Sequence, residues 1–212
     1  MPDSNPKSEI PNSQSLILAS ASPRRAEILT SLGIPFRVDP ATAVEEDLRD
    51  GESAREAASR LAAEKAAEVA ARNPGHWVLA ADTLVYFPGG PIMGKPRGDA
   101  DAARMLAQIA GKEHCVVTAV RLRRGSDPGS EIVEESRVRI APISEEEIRW
   151  YVATGEPRDK AGAYAVQGRG ARFIEAVAGS YSNVMGLPAR GVYRLLRDAP
   201  EPALALLGLS SL

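Results

Sequence analysis

Residues 77–87 most constrain the fold, because they form an apolar run of strand length that carries an aspartate near its centre. Turn-forming residues bound the run, with Asn73-Pro74-Gly75 before it and Pro88-Gly89-Gly90-Pro91 after it. This arrangement predicts a buried β-strand. The Ala-rich residues 53–72 precede it and predict one long helix. The chain must therefore build a sheet that is covered by at least one helix.

Further strand and helix patterns alternate along the chain. Strands are predicted over residues 16–19, 36–38, 116–123 and 132–140, and helices over 23–32, 99–110 and 191–197. Ser22 before Pro23 is typical of a helix start whose serine hydroxyl caps an orphan amide. Ser144 and Glu147 form a capping-box pattern that opens another helix. The Gly-rich residues 161–188 predict strands and loops. This mixed order indicates an α/β or α+β fold.

Composition excludes several classes of protein. The 212 residues include 26 Lys+Arg and 28 Asp+Glu, a formal net charge of −2, and aromatics make up only 5%. There is no basic excess and no row of aromatics, so a general RNA- or polyphosphate-binding module fits poorly. No run approaches the ~20 apolar residues that span a membrane. The lone cysteine, Cys115, precludes an internal disulfide and fits a reducing cytoplasm.

The polar N-terminal residues 1–15 are rich in Pro, Ser and Asn and predict a disordered leader. No clean linker or internal repeat interrupts the remainder. Residues 16–212 are therefore predicted to form a single domain of two interleaved lobes.

A first candidate site lies where the first strand runs into the first helix. Ser20, Ser22, Arg24 and Arg25 bring hydroxyls, helix-start amides and guanidiniums to one turn. Such a turn suits an anion, above all a polyphosphate. The alternative is that both arginines are solvated first-turn residues. Because positive charge at a helix N-terminus opposes the helix dipole, the pattern favours anion binding.

Asp82 and Thr83 form a second candidate site inside the apolar run. A carboxylate within a buried strand is costly unless it is paired or binds a metal. The alternative is a strand that ends at Asp82, which would then cap a turn.

Lysines and an acidic loop extend the list. Each of Lys65, Lys95 and Lys160 is by itself more typical of a solvated surface lysine, but Lys95, framed by Gly94 and Pro96, is the better candidate for a positioned charge. Residues 45–47, Glu-Glu-Asp, form a run of three carboxylates. Such a run is usually solvated, although it could also supply a ligand to Mg²⁺ or Mn²⁺ beside a phosphate.

Gln167 precedes Gly168 in a Gly-rich loop, and its amide suits the edge of a base. His76 and His114 are assigned to structure. Together these residues predict a phosphate-binding pocket without naming its reaction.

Taken in order, several longer motifs resemble one family. The segments SASPRRAEILTSLGIPF, LAADTLVY, GKP, GEPRDKAGAYAVQG and GSYSNVMGLP resemble the Maf family of septum-formation-inhibitor-like nucleoside triphosphate pyrophosphatases. The resemblance covers about residues 16–197. It implies a mixed-sheet α/β fold like that of inosine triphosphatase, with two lobes flanking a deep cleft. It also implies hydrolysis between the α- and β-phosphates with Mg²⁺ or Mn²⁺, a cytoplasmic location and a homodimer.

The resemblance also assigns roles to residues. Asp82 would accept a proton from the attacking water, and Glu46, or less surely Glu45, would associate with the metal. The phosphate-binding positions fall on Ser20, Arg24, Arg25, Lys65 and Lys95, with Lys160 as a weaker correspondence. Arg24, Thr83 and Gln167 match the branch that acts on dTTP and UTP rather than 7-methyl-GTP.

A nucleotide-binding regulator of cell division, acting through a partner without turnover, is the alternative function. Release of pyrophosphate from dTTP discriminates between the two. We expect no binding to nucleic acid or membrane.

Overall fold

The computed structural model describes residues 16–44, 47–200 and 203–208. Its strands are β1 (Leu16–Leu18), β2 (Phe36–Val38), β3 (Trp77–Tyr86), β4 (Ile92–Met93), β5 (Glu113–Arg124), β6 (Ser130–Ile140) and β7 (Ile174–Ala178). Its α-helices are α1 (Pro23–Ser31), α2 (Ala54–Arg72), α3 (Asp99–Ile109), α4 (Glu145–Ala153), α5 (Tyr181–Met185) and α6 (Ala189–Arg197). Short 3-10 helices occupy Glu156–Asp159, Ala161–Ala163, Gly168–Phe173 and Leu204–Leu207. Within these ranges no helix is long and apolar enough to span a membrane.

The strands form one mixed sheet, which confirms the predicted α/β class. The order is β2-β1-β3-β5-β6-β7, and β4 also pairs with β3. Strand β1 runs parallel to both β2 and β3, whereas the remaining pairs are antiparallel. The long central strands β3, β5 and β6 therefore provide a rigid base for the segments that cross them.

The sheet opens along one edge of β3. Strand β5 pairs with the other edge over the whole length of β3. On the open edge, β1 pairs only as far as Leu79, and β4 begins to pair only at Val85. The intervening residues of β3, which include Asp82 and Thr83, thus lie between two described strands that do not reach them. Polar side chains can reach solvent here without leaving the strand.

Helix α2 covers one face of the sheet. Its buried Ala66, Val69 and Ala70 pack on residues such as Val78 and Ala80 of β3. Small side chains allow the helix to approach the sheet closely, which accounts for its alanine content. Side chains alternate along a strand, so Asp82 shares this face. The opposite face carries α1 and α6 at one end and α3 and α4 at the other.

Most predicted elements are confirmed to within a few residues, including the Ser144–Glu147 capping box. Ser22 is the N-cap of α1 and Pro23 follows, but the predicted capping bond is wrong: the Ser22 hydroxyl makes none within the described chain. Instead, the Ser22 amide donates to Ser20 Oγ. The Gly-rich segment contains the predicted strand, β7. It also contains the short helix α5, which the composition of the segment did not indicate.

Candidate active site

One cavity of about 550 Å³ brings together the predicted phosphate-binding, base-contacting and catalytic residues. Asp47 of the predicted acidic loop is described but does not line this cavity. The cavity lies over the open edge of β3. Its lining includes Ser20, Arg24, Arg25, Lys65, Asp82, Thr83, Lys95, Lys160 and Gln167. Glu45 and Glu46, the predicted metal-associated positions, lie outside the described residues.

The Asp82 carboxylate is held by a lysine from the covering helix. Lys65 Nζ on α2 lies 2.6 Å from Asp82 Oδ1, and the two residues are only 9% and 6% exposed. Strand β3 continues through Asp82, so the alternative of a strand end at this residue is wrong. Pairing offsets the desolvation that burial imposes on each charge. The surface interpretation of Lys65 is likewise wrong.

Arg25 ties the first turn of α1 to the rest of the cavity wall. Its guanidinium donates to Gly186 O at 2.9 Å, to Ser20 Oγ at 3.0 Å and to Thr83 Oγ1 at 3.2 Å. These acceptors lie on three separate segments. Since the guanidinium fork is planar and rigid, Arg25 sets their relative positions.

Thr83 faces the side of the sheet opposite to Asp82. Its hydroxyl lies 3.0 Å from that of Thr118 on β5, and Thr118 donates to Asn183 O at 3.1 Å. Asn183 in turn donates to Val116 O and to Ser136 Oγ. Thr118 and Asn183 are fully buried. This buried polar network links the cavity to β5 and β6.

Arg24 reaches across the cavity towards the loop after α4. Its Nη1 lies 3.6 Å from Asp159 Oδ2. The neighbouring Lys160 donates to Glu156 O at 2.8 Å and to Asp159 Oδ1 at 2.6 Å. Burial raises the pKa of Asp159, but the Lys160 hydrogen bond and the nearby charges of Lys160 and Arg24 outweigh it and hold that pKa below its usual value. Neither arginine of the pair Arg24–Arg25 is a merely solvated first-turn residue.

Positive charge exceeds negative charge on the described lining of the cavity. The cations are Arg24, Arg25, Lys65, Lys95 and Lys160, against the carboxylates of Asp82 and Asp159. The Ser22 hydroxyl does not cap the first turn of α1, which begins beside the cavity. A helix N-terminus and a surplus of cations both favour a multiply charged anion.

Gln167 lines the same cavity from the loop after the Ala161–Ala163 turn. Its Oε1 atom is buried and has no hydrogen-bond partner among the described residues. A buried polar atom without a partner is costly, so a ligand that hydrogen-bonds there would be favoured.

The donor set fits a hard cation only in combination with a ligand. The described residues contain no group of three or more His, Cys, Asp or Glu side chains that could hold a metal by itself. Asp82 offers carboxylate oxygen to the cavity, which is the chemistry that Mg²⁺ and Mn²⁺ prefer. Since Mg²⁺ commonly binds through one or two carboxylates plus substrate phosphates, these residues are compatible with such a site.

Sequence reasoning missed several residues of this site. Thr118 is the polar residue in the apolar run of β5, and Asn183 lies in the short helix α5, next to Ser182 in sequence. A polar side chain in an otherwise apolar strand was the available signal for Thr118. No local signal distinguishes Asp159 or Glu156 from solvated charges, because Arg24, which pairs with Asp159, and the Arg169 and Gly170 amides, which bind Glu156, are more than ten residues away in sequence.

Comparison with known proteins identifies the class to which this fold and site belong. The family model described as Maf-like protein matches residues 15–199. The chain belongs to the Maf-like family.

Two relatives illustrate the similarity. A protein of Symbiobacterium thermophilum named dTTP/UTP pyrophosphatase is 48% identical over 191 residues, which cover 89% of this chain and 96% of the relative. A protein of the same name from Anaeromyxobacter sp. (strain Fw109-5) is 49% identical, covering 88% and 90%. Among solved structures, a HAM1 protein from Coxiella burnetii is 16% identical with a TM-score of 0.43, covering 61% of this chain and 74% of that chain. A structural likeness that weak carries no argument.

Proposed function

We propose that this protein is a nucleoside triphosphate pyrophosphatase that hydrolyses dTTP and UTP to the nucleoside monophosphate and pyrophosphate. The observation that carries the proposal is the buried Asp82–Lys65 pair in a cavity with a surplus of cations. A carboxylate that only stabilised the fold would not need an open cavity beside it. The names of the two relatives support this reaction and these substrates.

The cationic side chains would bind the triphosphate. Arg24 and Lys95 line the cavity from two different segments of the chain, and Arg25 is oriented by its three acceptors. Ser20 and the first turn of α1 add hydroxyl and amide donors. Cleavage of a phosphoanhydride depends on charge neutralisation and an aligned nucleophile rather than on covalent chemistry, so these groups supply most of what the reaction needs.

Asp82 would orient the attacking water and accept its proton. General-base assistance of this kind contributes typically 10²–10⁴-fold. Lys65 Nζ donates to one of the two carboxylate oxygens, Asp82 Oδ1. We propose that Lys65 holds the carboxylate in place and shares its charge with a phosphate oxygen once substrate binds.

A divalent cation, Mg²⁺ or Mn²⁺, would be held by Asp82 together with phosphate oxygens of the substrate. When bound, it neutralises charge on those oxygens. Glu46 stays a prediction for a further metal-associated residue. The proposal of a divalent cation is supported by the family and by the Asp82 carboxylate in the cavity lining.

Gln167, Thr83 and Arg24 would determine base preference. The buried Gln167 Oε1, which has no partner within the described part of the chain, suits a hydrogen-bond donor on the base edge, such as N–H of uracil or thymine. The Thr83 hydroxyl is bonded to Arg25 and Thr118, so we propose that it shapes the pocket through Arg25.

We also propose that the cavity is the cleft between the two predicted lobes of a single domain, residues 16–212. The leader 1–15 lies outside the described residues. A cytoplasmic location is supported by Cys115, which is buried and forms no disulfide. The homodimer stays a prediction.

Pyrophosphate release tests the proposal. Purified protein is assayed with dTTP, UTP, CTP, 7-methyl-GTP and ITP in the presence of Mg²⁺ or Mn²⁺. We expect dTTP and UTP to be hydrolysed with higher kcat/KM than the other nucleotides. Tight binding of dTTP without release of pyrophosphate would instead favour the regulator of cell division.

A further inference from the structure

Glu156, which the sequence analysis does not name as a site residue, has a carboxylate that accepts hydrogen bonds from helix α4 and from the segment that follows Gln167. Oε1 accepts from the Tyr151 hydroxyl at 2.8 Å and from the Gly170 amide at 2.9 Å. Oε2 accepts from the Arg169 amide at 3.0 Å. Both oxygens of this carboxylate are therefore used to hold backbone or a buried side chain.

Tyr151 binds the other end of the loop, at Ala165, and is itself hydrogen-bonded to Glu156. The residue is fully buried, and its hydroxyl accepts from the Ala165 amide at 3.1 Å while it donates to Glu156. Ala165 precedes Gln167 by two residues, and Arg169 follows it by two. Gln167 is thus the centre of a short segment that the Tyr151–Glu156 pair holds on both sides.

Two glycines allow the loop to approach this pair. A Cβ on Gly168 would lie 2.8 Å from Glu156 Oε2, and its φ of +73° is one that other residues rarely adopt. A Cβ on Gly170 would lie 2.5 Å from the Tyr151 hydroxyl. The Gln-Gly-Arg-Gly sequence is therefore explained by close contact with the pair.

We propose that Tyr151 and Glu156 are positioning residues for base selection, because they set where the Gln167 amide stands in the cavity. This inference rests on the proposed function, in which Gln167 contacts the base. With no described partner for its Oε1, Gln167 depends on its backbone for its position. A loop displaced by even a fraction of a hydrogen-bond length would weaken that contact.

The Glu156 carboxylate is ionised at neutral pH, so it keeps its hydrogen bonds to Tyr151, Arg169 and Gly170. Burial raises the pKa of Glu156, but the Arg169 and Gly170 amides, the Tyr151 hydroxyl and the Lys160 charge lower it further, so the net pKa lies below its ordinary value. The carboxylate therefore accepts hydrogen bonds at both oxygens under assay conditions.

Glu156→Gln tests the proposal, because it replaces one acceptor oxygen with an NH₂ donor that must face an N–H or O–H donor. We expect KM for UTP to rise on the order of tenfold with kcat changed by less than about threefold. The ratio of kcat/KM for UTP to that for ITP should fall by a similar factor. Tyr151→Phe, which removes the acceptor of the Ala165 amide, should shift the ratio in the same direction.

Glu147→Gln is the matched control. Glu147 accepts from Ser144 in the capping box of α4, a role that glutamine also fills, and it makes no hydrogen bond to the Gln167 loop among the described residues. We expect an unchanged UTP/ITP ratio. If Glu156→Gln lowers the melting temperature but leaves the ratio and KM unchanged, the pair is structural only and the inference is overturned.

Failure of the proposed function would look different. If the unmodified protein released no pyrophosphate from any nucleotide, the pyrophosphatase assignment would fail. The same comparison would then be made on Kd for UTP and ITP by titration calorimetry. Loss of binding selectivity in Glu156→Gln would still support the positioning role, and retained selectivity would refute it.

Discussion

Lys65 Nζ on α2 lies 2.6 Å from Asp82 Oδ1 on β3, and both side chains are buried at the wall of the cavity. The pair joins the covering helix to the open edge of the central strand. Its consequences for activity and for stability are separable by mutation.

Asp82→Asn should lower turnover of dTTP and UTP by a factor on the order of 10²–10⁴, because an amide cannot accept the proton of the attacking water. Steady-state pyrophosphate release measures this loss. Near-normal turnover by a well-folded variant would remove Asp82 from the catalytic role.

The same substitution removes the Asp82 charge from beside the buried Lys65 ammonium, so we expect the free energy of unfolding to fall, by up to about 3 kcal/mol. Adding Lys65→Met should restore much of that stability, since the buried charge is removed, while turnover stays low. Urea unfolding of both single variants and the double variant measures the coupling. Additive losses of stability would show that the pair is not coupled.

Arg25→Lys should be more damaging to stability than Arg24→Lys. Arg25 donates to three separate acceptors, and an ammonium cannot reproduce the fork, so about 1–3 kcal/mol should be lost. Arg24 pairs at 3.6 Å with the exposed Asp159, an interaction of at most about 1 kcal/mol. Thermal unfolding distinguishes the two variants, and equal losses would contradict the tethering role of Arg25.

Thr118→Val tests the buried network behind Thr83. The substitution preserves shape but removes a hydroxyl that bonds Thr83 and Asn183, leaving the Asn183 carbonyl without that donor. We expect a loss of about 1–3 kcal/mol in unfolding free energy and a higher KM, because Thr83 positions Arg25. Thr42→Val is the control, since Thr42 is exposed and its hydroxyl bonds only Glu68 among the described residues. A Thr118→Val variant as stable as the control would refute the network.

His114 should make stability fall in mild acid. Burial lowers its pKa to about 4, and it is fully buried against Tyr164. Between pH 6.5 and 4 the unfolded chain binds a proton that the folded chain does not, so stability decreases as pH falls, by about 3 kcal/mol over the window.

Urea unfolding at several pH values, compared with His114→Gln, measures this contribution as the difference in slope. His76→Gln removes the chain's other histidine and should keep the slope of the unmodified protein. An equal slope in His114→Gln and the unmodified protein would contradict the assignment.

The residues of the candidate site could be predicted from sequence more readily than their relationships. The apolar run around Asp82 and the Ser22-Pro23 helix start are local patterns, and both β3 and α1 lie where those patterns indicate. The sequence pattern around Lys65 favours a solvated surface lysine, because several of its neighbours in sequence are charged. Only the packing of α2 on the sheet turns Lys65 inwards.

Glu156 was overlooked for a related reason. Within GEPRDK it is one charge among several, and its partners Arg169 and Gly170 are distant in sequence. Charge pairs and carboxylate anchors of this kind depend on the closure of loops that local propensity does not specify.

The amino-acid order by itself determined most of the strands and helices, though not β4 or α5, because hydrophobic period, capping residues and glycines act over a few neighbouring positions. It also determined that Asp82 and Thr83 point to opposite faces of β3, since side chains alternate along a strand. Tertiary structure alone decided that β1 and β4 leave that edge open, that Lys65 reaches Asp82, and that Arg25 joins three segments. These are contacts between distant residues, and their geometry depends on how whole elements pack rather than on any local pattern.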